Sequence, residues 1–141
     1  MDQHPGRPAA LTPSVTPVVT LGALVASLGA QVLHAGSGLD RAVRAVFAGD
    51  RMSDLIGHAG EEALIVTNLE GAQLVRAAQL LDASAVLLVG AAMVRPETLA
   101  EAQQQGTALL VSPFGLYETC GRLYQIFTTC REQTTATGGC P

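Results

Sequence analysis

The chain has no lysine and no tryptophan, and its aromatics amount to two tyrosines and three phenylalanines in 141 residues. Without lysine it cannot carry a P-loop, whose Gly-Lys-Ser/Thr core needs the ammonium group on the phosphates. All eight basic residues are arginine, against twelve acidic ones, for a net charge of −4. Nucleic-acid binding ordinarily shows a basic stripe interleaved with stacking aromatics, and neither is present. Charge of either sign is scarce: 14% of residues are charged and 48% hydrophobic, where soluble domains carry roughly 25% charge. So few charges leave apolar surface uncovered, which points to self-association as a homodimer. Cysteine is limited to Cys120, Cys130 and Cys140. Spacings of ten match no zinc or redox pattern, and the odd count reads as free thiols in a reducing, cytoplasmic compartment.

Formal charge is also missing from Pro8 to Leu39, and "VVTLGALVASLGAQVL" has the look of a signal or membrane segment. The flanks argue against both. "MDQHPGR" carries Asp2 beside Arg7, Pro13, Pro17 and Gln31 interrupt the run, and it falls short of the about 20 residues a span needs. Residues 1–17, rich in Pro, Thr and Ala, read as a disordered tail. Residues 130–141, "CREQTTATGGCP", read as a flexible C-terminal tail. Residues 18–129 remain as one domain, a length that buries a sizeable core without metal or disulfide.

Within it, helical and strand periods alternate. Thr20 is placed to cap a helix with Leu21, Leu24, Val25 and Leu28 on one face, closed by Gly29. "QVLHA" and "AVRAVFA" read as strands, the second with Val43, Ala45 and Phe47 on one side. "MSDLIGHAG" is a short helix. "ALIVT", "SAVLLVG" and "TALLVS" are near-continuous apolar runs, the pattern of strands buried on both faces. Asn68 is placed to cap the helix after the first, Pro96 to open "PETLAEAQQQ" with Gly106 closing it, and Ser112-Pro113 to start "FGLYETCGRLYQIF". Repeated strand–helix units predict an α/β fold: a mostly parallel sheet with helices on its faces.

Few residues carry chemistry. Gly36 and Gly38 follow a strand, but Arg41 stands where a dinucleotide loop needs its third glycine, so they read as a turn. His34 and His58 lack ligand partners at metal spacing. His58 sits near a helix C-terminus, where the dipole favours a cation. Cys120 reads as a small packing residue, and Glu118–Arg122 as a helical ion pair. "AGDRMSD" is the densest polar cluster. Asp50 is placed to cap the short helix there, with Ser53 and Asp54 in its first turn; the alternative is that the cluster contacts a ligand. A parallel sheet binds ligands at the carboxyl ends of its strands. Those ends fall at Thr67-Asn68, Gly90-Ala91 and Ser112-Pro113, where helix N-termini suit an anion.

The stretches "GLDRAVRAVFAGDRMSDLI", "LIVTNLEGAQLVRAAQLLDASAVLLVG" and "RPETLAEAQQQGTALLVSPFGLYETCGRLY" together resemble the DRTGG domain, and with it the N-terminal domain of HPr kinase/phosphorylase. Asp40-Arg41 match the first two letters of that name; Arg44-Ala45-Val46 replace the rest. Asp50, Met52, Ser53 and Asp54 fit the Asp-x-Met-Ser-Asp stretch of stand-alone members. The resemblance implies a compact accessory domain, found alone or beside kinase, CBS, pyrophosphatase or phosphate acetyltransferase modules, with a regulatory rather than enzymatic role. The kinase half is not matched, so kinase activity does not carry over.

The expectation is therefore a non-catalytic regulatory or ligand-sensing domain without cofactor or metal, acting as a homodimer on a nucleotide or other phosphorylated small molecule or on a partner enzyme. Its candidate contacts are Asp50, Ser53, Asp54, Thr67, Asn68, Gly90 and Ser112. A purely structural dimerisation or protein-interaction module and a small enzyme of unknown chemistry are the alternatives.

Overall fold

Two strands set the architecture. Every residue of β5 (Ala63–Thr67) and of β6 (Ala85–Leu88) is buried, so both faces of the sheet at its centre must be covered. In the computed structural model, which describes residues 19–90 and 93–136, they lie in a five-stranded sheet of order β2-β7-β6-β5-β4. β4 (Ala45–Ala48), β5, β6 and β7 (Leu109–Val111) are parallel. β2 (Gln31–His34) closes the other edge antiparallel to β7. A separate two-stranded ladder pairs β1 (Val19–Thr20) with β3 (Ala42–Val43). The expected mostly parallel α/β fold is thus the observed one.

The parallel strands are wound in one direction, each next in sequence being next in space. Right-handed crossovers then put all three connecting helices on one face. These are α2 (Met52–His58), α3 (Ala72–Leu80) and α4 (Pro96–Gln105). Leu55, Leu74, Val75, Ala78 and Ala102 from these helices pack on Ile65, Val86, Leu88 and Leu109. The opposite face is covered by α1 (Leu21–Leu28) and α5 (Leu116–Ala136). Leu21, Leu24, Leu28 and Leu123 meet Leu64, Val66, Ala85, Leu87 and Leu110 there. Alternate residues of β5 and β6 go to alternate cores, as the two-residue period of a strand requires.

Local signals place most helix ends. The Thr20 hydroxyl accepts from the Ala23 N–H at 3.2 Å. Gly29 and Gly106 close α1 and α4 in the left-handed conformation, and Pro96 opens α4. Three expectations fail. The "AVRAVFA" run breaks at Arg44, which lies outside both β3 and β4. Val43 belongs to the core under α1 and α5, whereas Phe47 packs in the core under α2. In one regular strand these two would share a face, so a bulge at Arg44 has shifted the alternation. Asn68 caps nothing; α3 begins at Ala72 behind Gly71, whose φ of 109° suits glycine alone. α5 begins at Leu116, not at Pro113, and continues past Phe127 to Ala136. Residues 1–18 and 137–141 lie outside the described residues, as do Ala91 and Ala92; the expected N-terminal tail is among them, whereas residues 130–136 of the expected C-terminal tail belong to α5.

α3 and α4 are clamped side by side. Arg76 Nε donates to Glu101 Oε2 at 3.1 Å, and Gln105 Nε2 donates to the same oxygen at 2.9 Å. These donors, Gln105 foremost, hold the Glu101 carboxyl below its ordinary range.

Glycine at two turns separates backbone strain from steric conflict. Gly36 has φ +63°, and a Cβ there would lie 2.7 Å from the Ala108 nitrogen; Gly29 has φ +70° with open space around it. Gly29→Ala is expected to cost about 1–2 kcal/mol, the left-handed penalty alone. Gly36→Ala is expected to cost clearly more, since β2 must shift from the start of β7. Denaturant melts of the two variants make the comparison, and equal losses contradict it.

Candidate functional site

The carboxyl ends of the four parallel strands form one edge. The Gly49 N–H donates to Val66 O, the Val89 N–H to Thr67 O and the Ser112 N–H to Leu88 O, so the four connections leave from adjacent positions. Their directions differ. The chain leaving β6 runs to α4 on one face, while the chain leaving β7 runs to α5 on the other. Adjacent strands whose connections part to opposite faces mark a topological switch point, the position at which the crevice of open α/β sheets generally binds ligands. Gly90 and Ser112 flank it.

The candidate residues fall into three groups. Gly90 and Ser112 stand at the switch point, and Thr67 and Asn68 one strand away. Asp50 follows β4 at the edge of the sheet. Ser53 and Asp54 lie in the first turn of α2, both exposed. Two hydroxyls among them are already engaged. Thr67 Oγ1 accepts from the Leu69 N–H at 3.1 Å. Ser112 is 6% exposed; its Oγ accepts from the Phe114 N–H at 3.1 Å and shares a proton with Thr119 Oγ1 at 2.7 Å. Both lock the turn that follows their strand, the common use of Ser and Thr at such a bend.

Asp50 is not a cap. The residue before α2 is Arg51, and no side chain caps that helix. Asp50 stands one position too early for its carboxylate to fill the Ncap role. The first-turn anion is Asp54, 3.8 Å from Arg51 Nε. Leu55, fully buried, anchors α2 instead. At the other end the His58 Nδ1–H donates to the Asp54 carbonyl at 3.0 Å, and its ring stacks on Phe47 with centroids 6.3 Å apart. The histidine is a helix-end packing group, consistent with its place in the sequence.

The polar centre that sequence reading missed is Thr98. It is fully buried, and its Oγ1 accepts from the Gly71 N–H at 2.8 Å while donating to Glu70 Oε1 at 3.2 Å. The same Glu70 oxygen accepts from the Arg95 N–H at 2.7 Å. One carboxylate therefore covers the N-terminus of α4 and ties it to the start of α3, favourably for the helix dipole. An anionic ligand would compete with Glu70 there. α5 begins at Leu116, four residues after Ser112. Within it the Arg122 guanidinium stacks 4.0 Å over the Phe114 ring and bonds Glu118 at 2.8 Å. Nothing here assembles a nucleophile with a base. Burial pushes the Cys120 thiol up, away from reactivity. Among the described residues no group of three or more His, Cys, Asp or Glu could hold a metal, and no helix is long and apolar enough to cross a membrane.

Two substitutions test these assignments. Thr98→Val is expected to cost about 1–3 kcal/mol, because it leaves the half-buried Gly71 N–H without its acceptor and the Glu70 carboxylate without its hydroxyl donor. Thr98→Ser should restore most of that loss. Asp50→Ala, by contrast, is expected to stay within about 0.5 kcal/mol of the parent, as for a surface position without a cap. A denaturant-midpoint series reads both; a loss of about 1 kcal/mol at Asp50 would reinstate the cap.

Comparison with known proteins agrees with this architecture. The family model described as the DRTGG domain matches residues 23–126. Among solved structures, the chain is similar to the CBS and DRTGG domains of the regulatory region of Clostridium perfringens pyrophosphatase, complexed with its activator diadenosine tetraphosphate. The TM-score is 0.62 at 13% identity, over 75% of this chain and 46% of that one, so the present chain spans less than half of that region. No curated protein matches. The match over most of the sequence establishes that the chain belongs to the DRTGG domain family.

Proposed function

We propose that this chain is a non-catalytic regulatory domain that binds a small phosphorylated ligand, a nucleotide in the first instance, in the crevice outside β6 and β7, and that it acts as a homodimer in the cytoplasm. The observation that carries the reading is the divergence of the β6–α4 and β7–α5 connections at the carboxyl edge of the sheet. A crevice of this kind is a ligand-binding position in open α/β sheets generally. The N-terminal turn of α5 gives it positive dipole ends, and Phe114 with Arg122 supplies a ring and a cation beside it. Family membership supports a regulatory role, and the pyrophosphatase region of similar fold carries a nucleotide activator. The likeness to the N-terminal domain of HPr kinase/phosphorylase belongs with the same reading.

The homodimer rests on α5. Tyr117 is 93% exposed and Tyr124 77%, with Leu116 also exposed. Spaced seven apart on one helix, the two tyrosines share a face. Each presents roughly 150–200 Å² of largely apolar surface, a substantial part of the about 800 Å² per partner that a stable interface buries. The free thiol of Cys120 fits the cytoplasmic assignment.

A thermal-shift series with mono-, di- and dinucleotides, and with other phosphorylated metabolites, tests the ligand. At a hundred times Kd a bound ligand raises stability by about 2.7 kcal/mol. The expected result is a saturable rise that Arg122→Ala weakens at least several-fold, while Asp54→Asn leaves it unchanged. No shift with any phosphorylated compound overturns the sensing role. Sedimentation at micromolar concentration tests the assembly. A dimer that Tyr117→Glu with Tyr124→Glu converts to monomer is expected; a parent that sediments as a monomer overturns it.

A further inference from the structure

Among the described residues, nothing pairs with the outer edge of β4. Such an edge offers its backbone groups to another strand. In a parallel ladder alternate residues bond the same neighbour. The Gly49 N–H bonds Val66 O on the β5 side, so Phe47 also turns its backbone to β5. Val46 and Ala48 then turn their N–H and C=O groups outward. The usable edge is short. Before it, Val43 is already paired with Val19 of β1, and after it the chain turns into α2 at Met52. An approaching strand therefore meets the stretch from Arg44 to Asp50.

That stretch is complementary to itself. Arg44 stands three residues before Phe47 and Asp50 three after it. A two-fold axis at Phe47 sets two such strands antiparallel, with Val46 opposite the partner's Ala48 and Ala48 opposite the partner's Val46. Each of these pairs exchanges both backbone bonds. The same axis brings Arg44 opposite the partner's Asp50 at both ends of the ribbon. A shift by two residues in either direction sets Arg44 against the partner's Ala48 or Asp50 against the partner's Val46. We propose that β4 is a contact of the homodimer: two copies join β4 to β4 antiparallel about this axis, so that their sheets continue as one and Arg44 of each copy pairs with the partner's Asp50. The proposal rests on the homodimer reading and names the surface that makes it.

The charges fit a partner and not the chain itself. Arg44 and Asp50 are six residues of extended chain apart, roughly 20 Å, so they do not meet within one copy. Arg44 bonds its own Glu62 through Nε, and a guanidinium has five N–H donors, enough for a second carboxylate. Asp50 is exposed and caps no helix. The apolar surface is continuous with the α5 face already assigned to the dimer. Arg44, Val46 and Ala48 line a groove of about 390 Å³ with Cys120, Tyr124 and Phe127 of α5. Tyr124 thus joins the edge to the exposed tyrosine face. An edge of four residues covers far less than the about 800 Å² per partner that a stable interface buries. The α5 faces, brought together on one side of the joined sheets, supply the rest. A second copy also closes the assembly: a two-fold contact uses the same edge in both protomers and leaves neither open.

Sedimentation of the full chain as Arg44→Glu, as Asp50→Arg and as their equimolar mixture tests it. Neutralising an exposed ion pair changes little, so the variants reverse the charge. Arg44→Glu alone sets two carboxylates together at each end of the ribbon, and Asp50→Arg alone sets two guanidinium groups together. Each is expected to raise the dimer Kd at least about tenfold. Mixed, the two variants restore an opposite pair at both ends and are expected to dimerise like the parent, which also shows that both are folded. Amide exchange by NMR reads the backbone. The Val46 and Ala48 N–H groups are expected to exchange at least about tenfold more slowly in the parent dimer than in the Tyr117→Glu, Tyr124→Glu monomer. A parent dimer that the tyrosine substitutions break and both charge reversals leave intact overturns the β4 contact and keeps the homodimer. So does protection of Val46 and Ala48 that persists in the monomer, which gives the edge to another part of the same chain. Single variants that weaken the dimer without recovery on mixing overturn the register. A parent that sediments as a monomer overturns the homodimer and this contact together.

Discussion

Burial of the central strands on both faces is the constraint from which the rest of this fold follows. Ala63–Thr67 and Ala85–Leu88 leave no side chain in solvent, and each Leu, Ile or Val side chain so buried contributes about 1.5–3 kcal/mol relative to exposure. Winding β4 to β7 in one direction delivers three helices, but all to one face. The other face must be covered by chain from outside the winding. α1 arrives before it and α5 after it, meeting over Leu64, Leu87 and Leu110. The connection leaving β7 is thereby obliged to part from the one leaving β6. The switch point at Gly90 and Ser112 is a consequence of covering the second face.

This distinction explains what could be read from the sequence. The strands "ALIVT" and "SAVLLVG" were legible because two-sided burial removes polar residues from the run. Gly29, Gly106, Pro96 and Thr20 were legible because each acts through its own backbone or a residue three positions away. Asn68 was misleading because the start of α3 is decided elsewhere: the Gly71 N–H finds its acceptor in Thr98, 27 residues on. The same holds at Arg44, where the Glu62 carbonyl captures the N–H and breaks an otherwise regular alternation. A period-two pattern cannot show a bulge imposed by a neighbouring strand.

The places of the strand ends were legible in the sequence, and the contacts of their side chains were not. Parallel strands put ligand positions at their carboxyl ends whatever residues stand there, so Thr67, Asn68, Gly90 and Ser112 converge on one edge as expected. What each side chain does there depends on contacts that close only in the fold. Thr67 and Ser112 are residue types that bind ligands, but their hydroxyls hold the backbone of the next turn. Glu70, silent in the sequence, neutralises the N-terminus of α4. One signal was present: a carboxylate shortly after a strand, followed at helix-start distance by Arg95-Pro96. It becomes interpretable only once β5 and β6 are known to be neighbours.

The way these polar groups are engaged bears on how a regulatory domain could work. Here the Thr67 and Ser112 hydroxyls and the Glu70 carboxylate are spent on holding the turns at that edge. Recognition on the proposed reading then falls to backbone amides of the α5 turn and to the Phe114–Arg122 stack. Those groups sit on the element that also carries Tyr117 and Tyr124 outward and buries Leu123 inward. α5 is packed on the sheet chiefly through that inner face, beside a groove that leaves Cys120 and Phe127 only partly covered. On the proposed reading, α5 would be held at one end by a ligand, along one side by the core and on its outer face by a second protomer, and coupling between sites requires an element whose position both can bias.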